Sequence, residues 1–295
     1  MVDSINNRYG REFSDMVHVA AQQTKHRLQP YIKYKPISLN DFAYDGIEDV
    51  EAHEVLGRNA PTIFSDITHN RRKLKPRRFA IALPIDVKDL EAGVIVDPTK
   101  DYHTAVVSAI MRLKDRLAVQ AAFADVRTGE DFSTTVTFAN DGGLTVNATA
   151  GLTYEKMLEL EQNFIDGEVG NDMDMKKVLL ISGKENTSLM GESELVSGDF
   201  TRQFAVEKGQ LTMAMGFDIV KFGGSVKSPI LSVASTTRSC VAMTEGAICL
   251  GVAKDLSIRV QERPDLNNTQ QVYCDVIMDA VRTEGKRIQK LTTTI

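Results

Sequence analysis

The stretch from Arg238 to Arg282 constrains the fold of this chain more than any other part of the sequence. It reads RSCVAMTEGAICLGVAKDLSIRVQERPDLNNTQQVYCDVIMDAVR, a series of extended apolar runs interrupted by a charged turn at Glu262-Arg263-Pro264-Asp265. Apolar runs between turn signals are typical of β-strands. None of the runs carries a nucleophile–base pair, a metal-ligand cluster or a phosphate-binding loop. So much sheet without chemistry favours a shell or scaffold component over an enzyme.

The composition is that of a soluble globular protein. The chain has 295 residues, of which 42% are hydrophobic and 25% are charged, and this length can bury a sizeable core. The net charge of −5 argues against a whole-protein nucleic-acid binder, which is usually strongly basic. No segment approaches the roughly 18 apolar residues that span a bilayer, and residues 1–16 lack the apolar core of a secretory signal. We therefore expect a protein that is made and kept in a cytoplasm.

Three longer segments are predicted to be helical. Residues 14–29 have a weakly apolar face and end at Pro30, so this helix is expected to dock on another surface. Residues 101–124 carry apolar side chains at helical spacing, with Arg112, Asp115 and Arg116 off that stripe, and would form a helix roughly 36 Å long. Residues 153–166 form a third helix, with Thr153 as the expected N-cap and Gly167 just past its end.

The predicted strands and helices follow one another irregularly. Residues 131–149 read as a β-hairpin around Asn140-Asp141-Gly142-Gly143. Further strands are predicted at 176–181 and 217–220, with a short helix near 185–190 between them. This order mixes local and distant strand pairing, so an α+β fold is favoured over a doubly wound α/β fold.

The first hundred residues carry two features that suit contact with another molecule. From Pro30 to about Gly57 the chain is polar but contains several aromatic residues, which predicts an extended arm lying on an outside surface. Residues 71–78, called the basic segment below, hold six cations, and acidic residues follow within 86–91. The candidate inter-subunit contacts are Arg71, Arg72, Lys73, Lys75, Arg77, Arg78, Asp86, Asp89 and Glu91.

Three interpretations of the basic segment are open from the sequence. In the first, a long hairpin over 58–97 has a basic half and an acidic half, and it pairs this charge with a neighbouring subunit. In the second, the cations lie in a solvated loop. In the third, they contact nucleic acid through its phosphates.

A search for catalytic and binding motifs finds none, so no catalytic, cofactor-binding or metal-binding residue is predicted. The three cysteines form no Cys-x-x-Cys pair and are expected to be small buried residues. The glycine pairs match neither a P-loop nor a dinucleotide-binding loop. An acidic patch lacks the glycine and the terminal glutamate of an EF-hand and is interpreted as a solvated loop; it comprises Asp166, Glu168, Asp172 and Asp174.

A series of short stretches between residues 60 and 290 carries a family resemblance. They are Asp97-Pro98 with Tyr102, Ala109, Arg112 and Asp115; GLTYEKML at 151–158; Asp199-Phe200, Gly209 and MGFDI at 215–219; RSCVA at 238–242 through Ala247, with VAKD at 252–255; and Ala280-Val281-Arg282. In this order they resemble the major capsid proteins of tailed bacteriophages. The stretches correspond to the start of the family's long spine helix, the next helix, the axial-domain turn and strand, the return strands and the last peripheral strand.

The resemblance implies the α+β fold of the Hong Kong phage capsid protein. The implied divisions are an N-terminal arm at 1–57, an extended loop at 58–97, a spine helix at 101–124, an axial domain at 152–255 and a peripheral domain at 98–151 with 256–295. A weakly apolar arm and a charge-split loop suit such a subunit, because it lends both to its neighbours. The chain is then incomplete by itself and is completed by copies of itself.

The function implied by the resemblance is structural. It predicts a major capsid protein that self-assembles, as hexamers and pentamers, into an icosahedral shell around the double-stranded DNA of a tailed bacteriophage. The implied partners are other copies of the chain, scaffolding, portal and cement proteins, and the packaged DNA through non-specific phosphate contact. No long charged helix precedes the arm, so assembly is expected to use a separate scaffolding protein or none. The predicted location is the virion, after assembly in the cytoplasm of a host bacterium, with no cofactor and no membrane partner.

Two other functions stay open from the sequence. A cytoplasmic α+β enzyme with an unrecognised site would need a concave pocket with convergent polar groups and perturbed pKa values. A nanocompartment shell on the same fold would enclose an enzyme instead of DNA. Particle size and content separate these two from a phage head.

Overall fold

The computed structural model describes most of the chain. The described residues are 23–38, 42–47, 50–54, 57, 64, 65, 67, 69–85, 98–170, 175–192, 206–207, 210–224, 229–266 and 269–295. The chain divides into two compact units. The first combines Met1–Lys25, Phe79–Met111 and Leu256–Val276, and the second combines His26–Arg78, Arg112–Asp255 and Ile277–Ile295. The domain boundaries given by the resemblance stay a prediction.

Few helices and many strands make up the described residues. The helices are α1 Pro98–Phe123, α2 Tyr154–Asp166 and α3 Gly183–Met190. The strands are β1 Lys33–Pro36, β2 Phe42–Ile47, β3 His69–Leu74, β4 Arg77–Ile85, β5 Val126–Thr128, β6 Thr134–Val136, β7 Leu144–Ala148, β8 Lys177–Ser182, β9 Val206–Glu207, β10 Gln210–Leu211, β11 Met213–Ala214, β12 Phe217–Phe222, β13 Ser232–Ala234, β14 Thr237–Thr244, β15 Ile248–Arg263, β16 Thr269–Arg282 and β17 Ile288–Thr294. The predicted α+β class is confirmed.

A seven-stranded mixed sheet lies in the second unit. Its strands have the order β11-β12-β8-β14-β17-β7, and β13 pairs with β14. β8 runs parallel to β12 and β7 runs parallel to β17, whereas β14 runs antiparallel to both β8 and β17. β8 is buried at every position, as expected for an interior strand covered on both faces.

The hydrophobic core of the second unit includes the inner face of α2 and the interior strands of this sheet. Met157, Leu160 and Phe164 are the buried side chains of α2, as their helical spacing predicts. Thr153 is the N-cap, since its side chain accepts the backbone N–H of Lys156. α2 is also tied to β17 by a hydrogen bond, in which the Gln289 amide donates to the Leu160 carbonyl at 2.9 Å.

The long helix α1 begins at Pro98 and ends at Phe123, close to the predicted 101–124. Proline is favoured in the first turn of a helix because its missing N–H has no partner there. The predicted apolar stripe is buried at Val106, Ile110 and Leu117. Towards the C-terminal end of α1 a larger part of the helix surface is buried, because Ala118, Val119 and Ala122 pack in the core of the second unit.

Two four-stranded sheets contain the remaining long strands. One has the order β1-β15-β16-β4 and the other β2-β3-β5-β6. β2 and β3 are antiparallel along their whole length, with Phe42 opposite Leu74 at one end and Ile47 opposite His69 at the other. A short 3-10 turn at Pro264–Leu266 follows β15 and precedes β16, at the position where the sequence predicts the charged turn.

The predicted hairpin over 131–149 is wrong in its pairing. Its two strands are present, but β6 pairs with β5 and β7 pairs with β17. The loop between them closes on itself, because the Asp141 N–H donates to the Thr137 carbonyl at 3.1 Å and the Gly143 N–H to the Phe138 carbonyl at 3.0 Å. A Cβ on Gly143 would lie 2.4 Å from the Phe138 ring, so a larger residue here would require the ring to move. The loop therefore carries the chain from one sheet to another.

The basic segment also differs from a simple hairpin. β3 and β4 follow each other across Lys75-Pro76, yet they do not pair: β3 lies between β2 and β5, and β4 lies beside β16. The segment therefore carries the chain from one four-stranded sheet into the other. Residues 86–97, the acidic half of the predicted hairpin, lie outside the described residues.

The predicted helix over 14–29 falls mostly outside the described residues. Its described end, residues 23–28, is not helical, and a 3-10 turn at Gln29–Tyr31 follows. Leu28, just before this turn, is fully buried in the core of the second unit. This part of the arm region is therefore anchored to its own subunit.

Candidate interaction site

Alternation along β3 divides the basic segment into inward and outward cations. Successive side chains of a strand point to opposite faces of the sheet, so Arg72 and Leu74 share one face and Arg71 and Lys73 the other. Arg72 and Leu74 are buried, whereas Arg71 is exposed. One of the six cations of residues 71–78 therefore lies inside the subunit.

Arg72 forms a buried ion cluster with Asp141 and Arg282. Arg72 Nη2 donates to Asp141 Oδ1 at 2.7 Å and Nη1 to Oδ2 at 2.8 Å, a bidentate pair. Arg282 Nε donates to the same Oδ2 at 2.7 Å. The arginine side chains are 2% and 0% exposed and that of Asp141 is 10% exposed. Burial alone raises the pKa of Asp141, but the two guanidiniums outweigh it and hold the pKa below its ordinary value.

Arg282 also closes the C-terminal end of α1. Its Nη1 donates to the carbonyl oxygens of Ala122 at 3.0 Å and Ala124 at 2.9 Å. α1 has no basic residue in its last turn, and the last carbonyls of a helix carry partial negative charge without an intrahelical partner. Arg282 supplies both the donors and the positive charge from β16. The cluster thus ties together β3, the loop before β7, the end of α1 and β16.

Two outward cations of the basic segment, Arg71 and Arg77, make ion pairs within the subunit. Arg71 Nε lies 3.1 Å from Asp45 Oδ1 across the β2–β3 pair, and Arg77 Nη2 lies 3.0 Å from Asp279 Oδ1. About half of each arginine side chain is exposed. The Arg71–Asp45 pair, in which both side chains are about half-exposed, contributes little to stability, whereas the Asp279 carboxylate that pairs with Arg77 is 14% exposed.

The structure brings together only part of the predicted contact set. Lys75 and Arg78 are exposed and Lys73 is half-buried. Arg72 is buried inside the subunit and cannot contact a neighbouring copy. The three acidic members of the set, Asp86, Asp89 and Glu91, lie outside the described residues.

A cavity of about 530 Å³ lies beside the basic segment, within the second unit. Four cations line it: Lys73, Lys75, Arg77 and, from β5, Arg127. Its two carboxylates are Asp125 and Asp279, and its floor is apolar, formed by Leu117, Ala121, Ala124, Val126, Ala280 and Val281. An excess of positive charge around an apolar floor suits a ligand that carries negative charge next to an apolar group. We call it the basic cavity.

Asp115 of α1 anchors the chain at residues 26–28. Its carboxylate accepts the backbone N–H of Arg27 at 3.2 Å and of Leu28 at 3.1 Å, and its Oδ1 lies 2.6 Å from His26 Nδ1. The side chains of Asp115 and His26 are both buried. The sequence places Asp115 with the charged residues off the apolar stripe of the helix, and this position is nevertheless inside the protein. The burial is possible because donors from residues 26–28 satisfy the carboxylate.

Chemistry other than contact formation has little support in the described residues. No group of three or more His, Cys, Asp or Glu that could hold a metal ion occurs within them. The three cysteines, Cys240, Cys249 and Cys274, are buried thiols that are not joined in disulfides. Burial raises the pKa of Cys240 to about 12, which leaves it a protonated thiol and a poor nucleophile at neutral pH. In the described part of the chain no helix has the length and apolarity needed to cross a membrane.

A family model matches nearly the whole chain. The model is described as phage capsid protein, and the match runs over residues 5–294. The chain belongs to the phage capsid protein family. No curated protein sequence matches this capsid protein.

Solved phage structures have the same fold as this capsid protein. The acid-stable capsid of Helicobacter pylori bacteriophage KHP30 has a TM-score of 0.73 at 10% identity, covering 100% of this chain and 99% of that one. A structure from Mycobacterium phage Che8 has a TM-score of 0.66 at 14% identity, covering 95% and 96%. The capsid of cyanophage P-SCSP1u has a TM-score of 0.70 at 11% identity, covering 98% and 94%.

These matches confirm the Hong Kong phage capsid fold and the predicted resemblance to phage major capsid proteins. The capsid protein is a structural component of the virion, and it functions as one of many copies in a shell. The cation pairs, the basic cavity and the arm anchor are therefore features of a subunit that meets other copies of itself. The enzyme and nanocompartment alternatives have no support from the family match.

Proposed function

We propose that this capsid protein is the major subunit of an icosahedral shell that encloses the double-stranded DNA of a tailed bacteriophage. The family match over residues 5–294 carries the proposal. The copies assemble as hexamers and pentamers in the cytoplasm of the host bacterium. Scaffolding, portal and cement proteins and non-specific contact with DNA phosphates complete the set of partners.

In this proposal the outward cations of the basic segment contact neighbouring copies. Arg71, Arg77 and Arg78 are exposed, and the pairs that Arg71 and Arg77 make within the subunit are open to water. Because the Arg71–Asp45 pair is weak, exchanging Asp45 for a carboxylate on a neighbouring copy costs little. The acidic residues 86–91 of an adjacent copy have the complementary charge.

Weak ionic contacts suit the assembly of a shell. Each contact can break and re-form, so a wrongly placed subunit leaves before the shell closes. Closure then stabilises the whole, because every subunit is held by several neighbours at once and the contacts act multivalently. An overall charge of −5 with local basic surface gives both signs to every copy, as contact between identical subunits requires.

The proposal is tested by charge reversal of the outward cations alone. We expect the triple variant Arg71→Glu, Arg77→Glu, Arg78→Glu to yield no shells by negative-stain electron microscopy, while the isolated subunit keeps its thermal unfolding transition. The matched triple replacement by lysine keeps the charge and should assemble. Arg72 is left in place in both, since its replacement would disturb the fold. Intact shells from the glutamate variant would refute the contact role of the segment. A wild-type chain that stays a solitary particle under all conditions would refute shell assembly.

A further inference from the structure

The basic cavity contains two cations that the subunit itself does not use. Among the described residues, the Lys75 ammonium and the Arg127 guanidinium make no hydrogen bond or ion pair, although Arg77 at the same cavity pairs with Asp279. Both Lys75 and Arg127 are exposed. Two unpaired cations at the edge of one cavity attract a partner with more than one negative charge.

The floor of the basic cavity restricts what that partner is. Leu117 and Ala121 come from the last turns of α1, Val126 from β5 and Val281 from β16, and all four are buried apart from the surface they show to the cavity. A phosphodiester backbone has no apolar group to place on such a floor. A peptide does, when carboxylates and an aliphatic side chain alternate along it. The cavity therefore fits an acidic peptide segment better than a nucleic acid.

This chain contains a segment of that chemistry at residues 47–51, Ile-Glu-Asp-Val-Glu. It carries three carboxylates, at Glu48, Asp49 and Glu51, and no cation. Its aliphatic side chains are displayed to solvent, since Ile47 is 66% and Val50 is 53% exposed. Exposed aliphatic groups next to carboxylates are costly to leave in water and match a cavity with cations around an apolar floor. The acidic stretch 86–91 is a weaker match, because Lys88 reduces its charge.

Within one subunit this segment starts at the wrong end of β3 to reach the cavity. Ile47 is paired with His69, whereas Lys73 and Lys75 lie at the other end of β3, where Leu74 is paired with Phe42. From His69 to Leu74 is five residues, or about 17 Å along a strand. We infer that the basic cavity of one copy receives residues 47–51 of a second copy, whose carboxylates pair with Lys75 and Arg127 while Val50 packs on the apolar floor. This inference rests on the proposed shell assembly.

A charge-swap series tests the pairing. Lys75→Glu with Arg127→Glu, and separately Glu48→Lys with Asp49→Lys and Glu51→Lys, should each lower the yield of sedimenting shells about tenfold or more, because like charges then face each other across the contact. Combining the five substitutions in one chain should restore the yield. The mismatched combination joins Lys75→Glu and Arg127→Glu to Asp86→Lys, Asp89→Lys and Glu91→Lys, and it should not.

The outcomes of the series separate this inference from the proposed function. Unchanged shells from the Lys75→Glu, Arg127→Glu variant, or no recovery in the matched swap, would overturn the inference. Recovery only in the mismatched combination would also overturn it, and would leave assembly through the basic surface intact. A wild-type chain that forms no shell would overturn both.

Cross-linking tests the same contact and changes the charge of the contact less than the charge-swap series does. Val50→Cys with Arg127→Cys, treated with a short bis-maleimide, should give a ladder of linked chains on a denaturing gel. Each thiol adds across one maleimide double bond, so no oxidant is needed, and the native cysteines are buried. Val50→Cys with Arg259→Cys is the control, since Arg259 is exposed but does not line the cavity. A ladder in the control alone, or a link confined to single chains, would contradict the inference.

Discussion

Replacing Asp141 with asparagine should destabilise this capsid subunit more than any comparable change at a surface carboxylate. The substitution keeps the size of the side chain but removes the carboxylate that pairs with both Arg72 and Arg282. Both guanidiniums then stay buried without a carboxylate to accept their hydrogen bonds, and the single acceptor oxygen of the new amide can take only part of the three. The helix carbonyls that Arg282 contacts do not replace a full negative charge.

The magnitude follows from the burial of the cluster. Breaking a buried ion pair by removing one partner costs about 3–5 kcal/mol, and the arginine side chains here are 2% and 0% exposed. In a chain of this size each kcal/mol lowers the Tm by about 2–4 °C, so we expect a fall of roughly 6–20 °C. The measurement is thermal unfolding, followed by far-UV circular dichroism or calorimetry, of subunits kept too dilute to assemble.

Asp45→Asn is the matched control for this prediction. Asp45 pairs with Arg71, the neighbour of Arg72 on the same strand, but the two side chains are 55% and 48% exposed. We expect that change to cost less than about 1 kcal/mol, because water screens the pair. Equal decreases in Tm for the two variants would refute the reasoning, because burial would then make no difference to how much an ion pair contributes to stability.

Two further predictions concern the arm anchor and acid. Asp115→Asn should expose residues 26–28, because an amide offers only one acceptor oxygen to the donors that share the Asp115 carboxylate in the wild-type protein. Hydrogen exchange of the Arg27 and Leu28 amides should accelerate while the core stays protected. Unchanged exchange at these two amides would contradict the anchoring role of Asp115. Glu185 of α3 is a second buried carboxylate, and it accepts the Ser182 N–H at 3.0 Å and the Thr293 hydroxyl at 2.7 Å. Burial raises the pKa values of Asp141 and Glu185, but their hydrogen bonds outweigh it and leave both below their ordinary values. Both carboxylates therefore stabilise the fold at a pH above their unfolded pKa values of about 4, and this stabilisation is lost as the pH falls through their lower folded pKa values. When the Tm is measured from pH 7 to pH 2, it should begin to decrease once the pH is below about 4. The decrease should be less steep for Asp141→Asn, which lacks one of the two carboxylates.

Local signals in the sequence were sufficient to predict α1 and α2, although the described end of the predicted helix over 14–29 is not helical. α1 and α2 have apolar residues at helical spacing, and the N-cap role of Thr153 follows from its own side chain and the N–H groups of the next turn. The strand β8, the short helix α3 and the strand β12 also lie close to where the sequence predicts them, whereas β5, β9, β10, β11 and β13 were not predicted. These features depend on residues within one or two turns of each other, which is the range over which sequence patterns act directly.

Strand pairing and the buried charges depend on residues far apart, and there prediction failed. The β-rich runs at 131–149 look like a hairpin, yet each strand pairs elsewhere, because the loop between them is held at Asp141 by Arg72 and Arg282. One signal for Arg72 was present: it precedes Leu74 by two residues, so in a strand the two side chains share a face. For Asp115 nothing nearby indicated burial, since its donors come from a segment 87–89 residues away.

The inward and outward cations of the basic segment have connected roles. The ion cluster holds β3 through Arg72, the end of α1 through Ala122 and Ala124, and β16 through its own Arg282. The same three elements supply most of the wall and floor of the basic cavity. Cations presented to a partner give a specific contact only when the backbone that carries them is fixed. One arginine of the segment, withdrawn into the subunit, therefore sets the positions from which its neighbours can meet another copy.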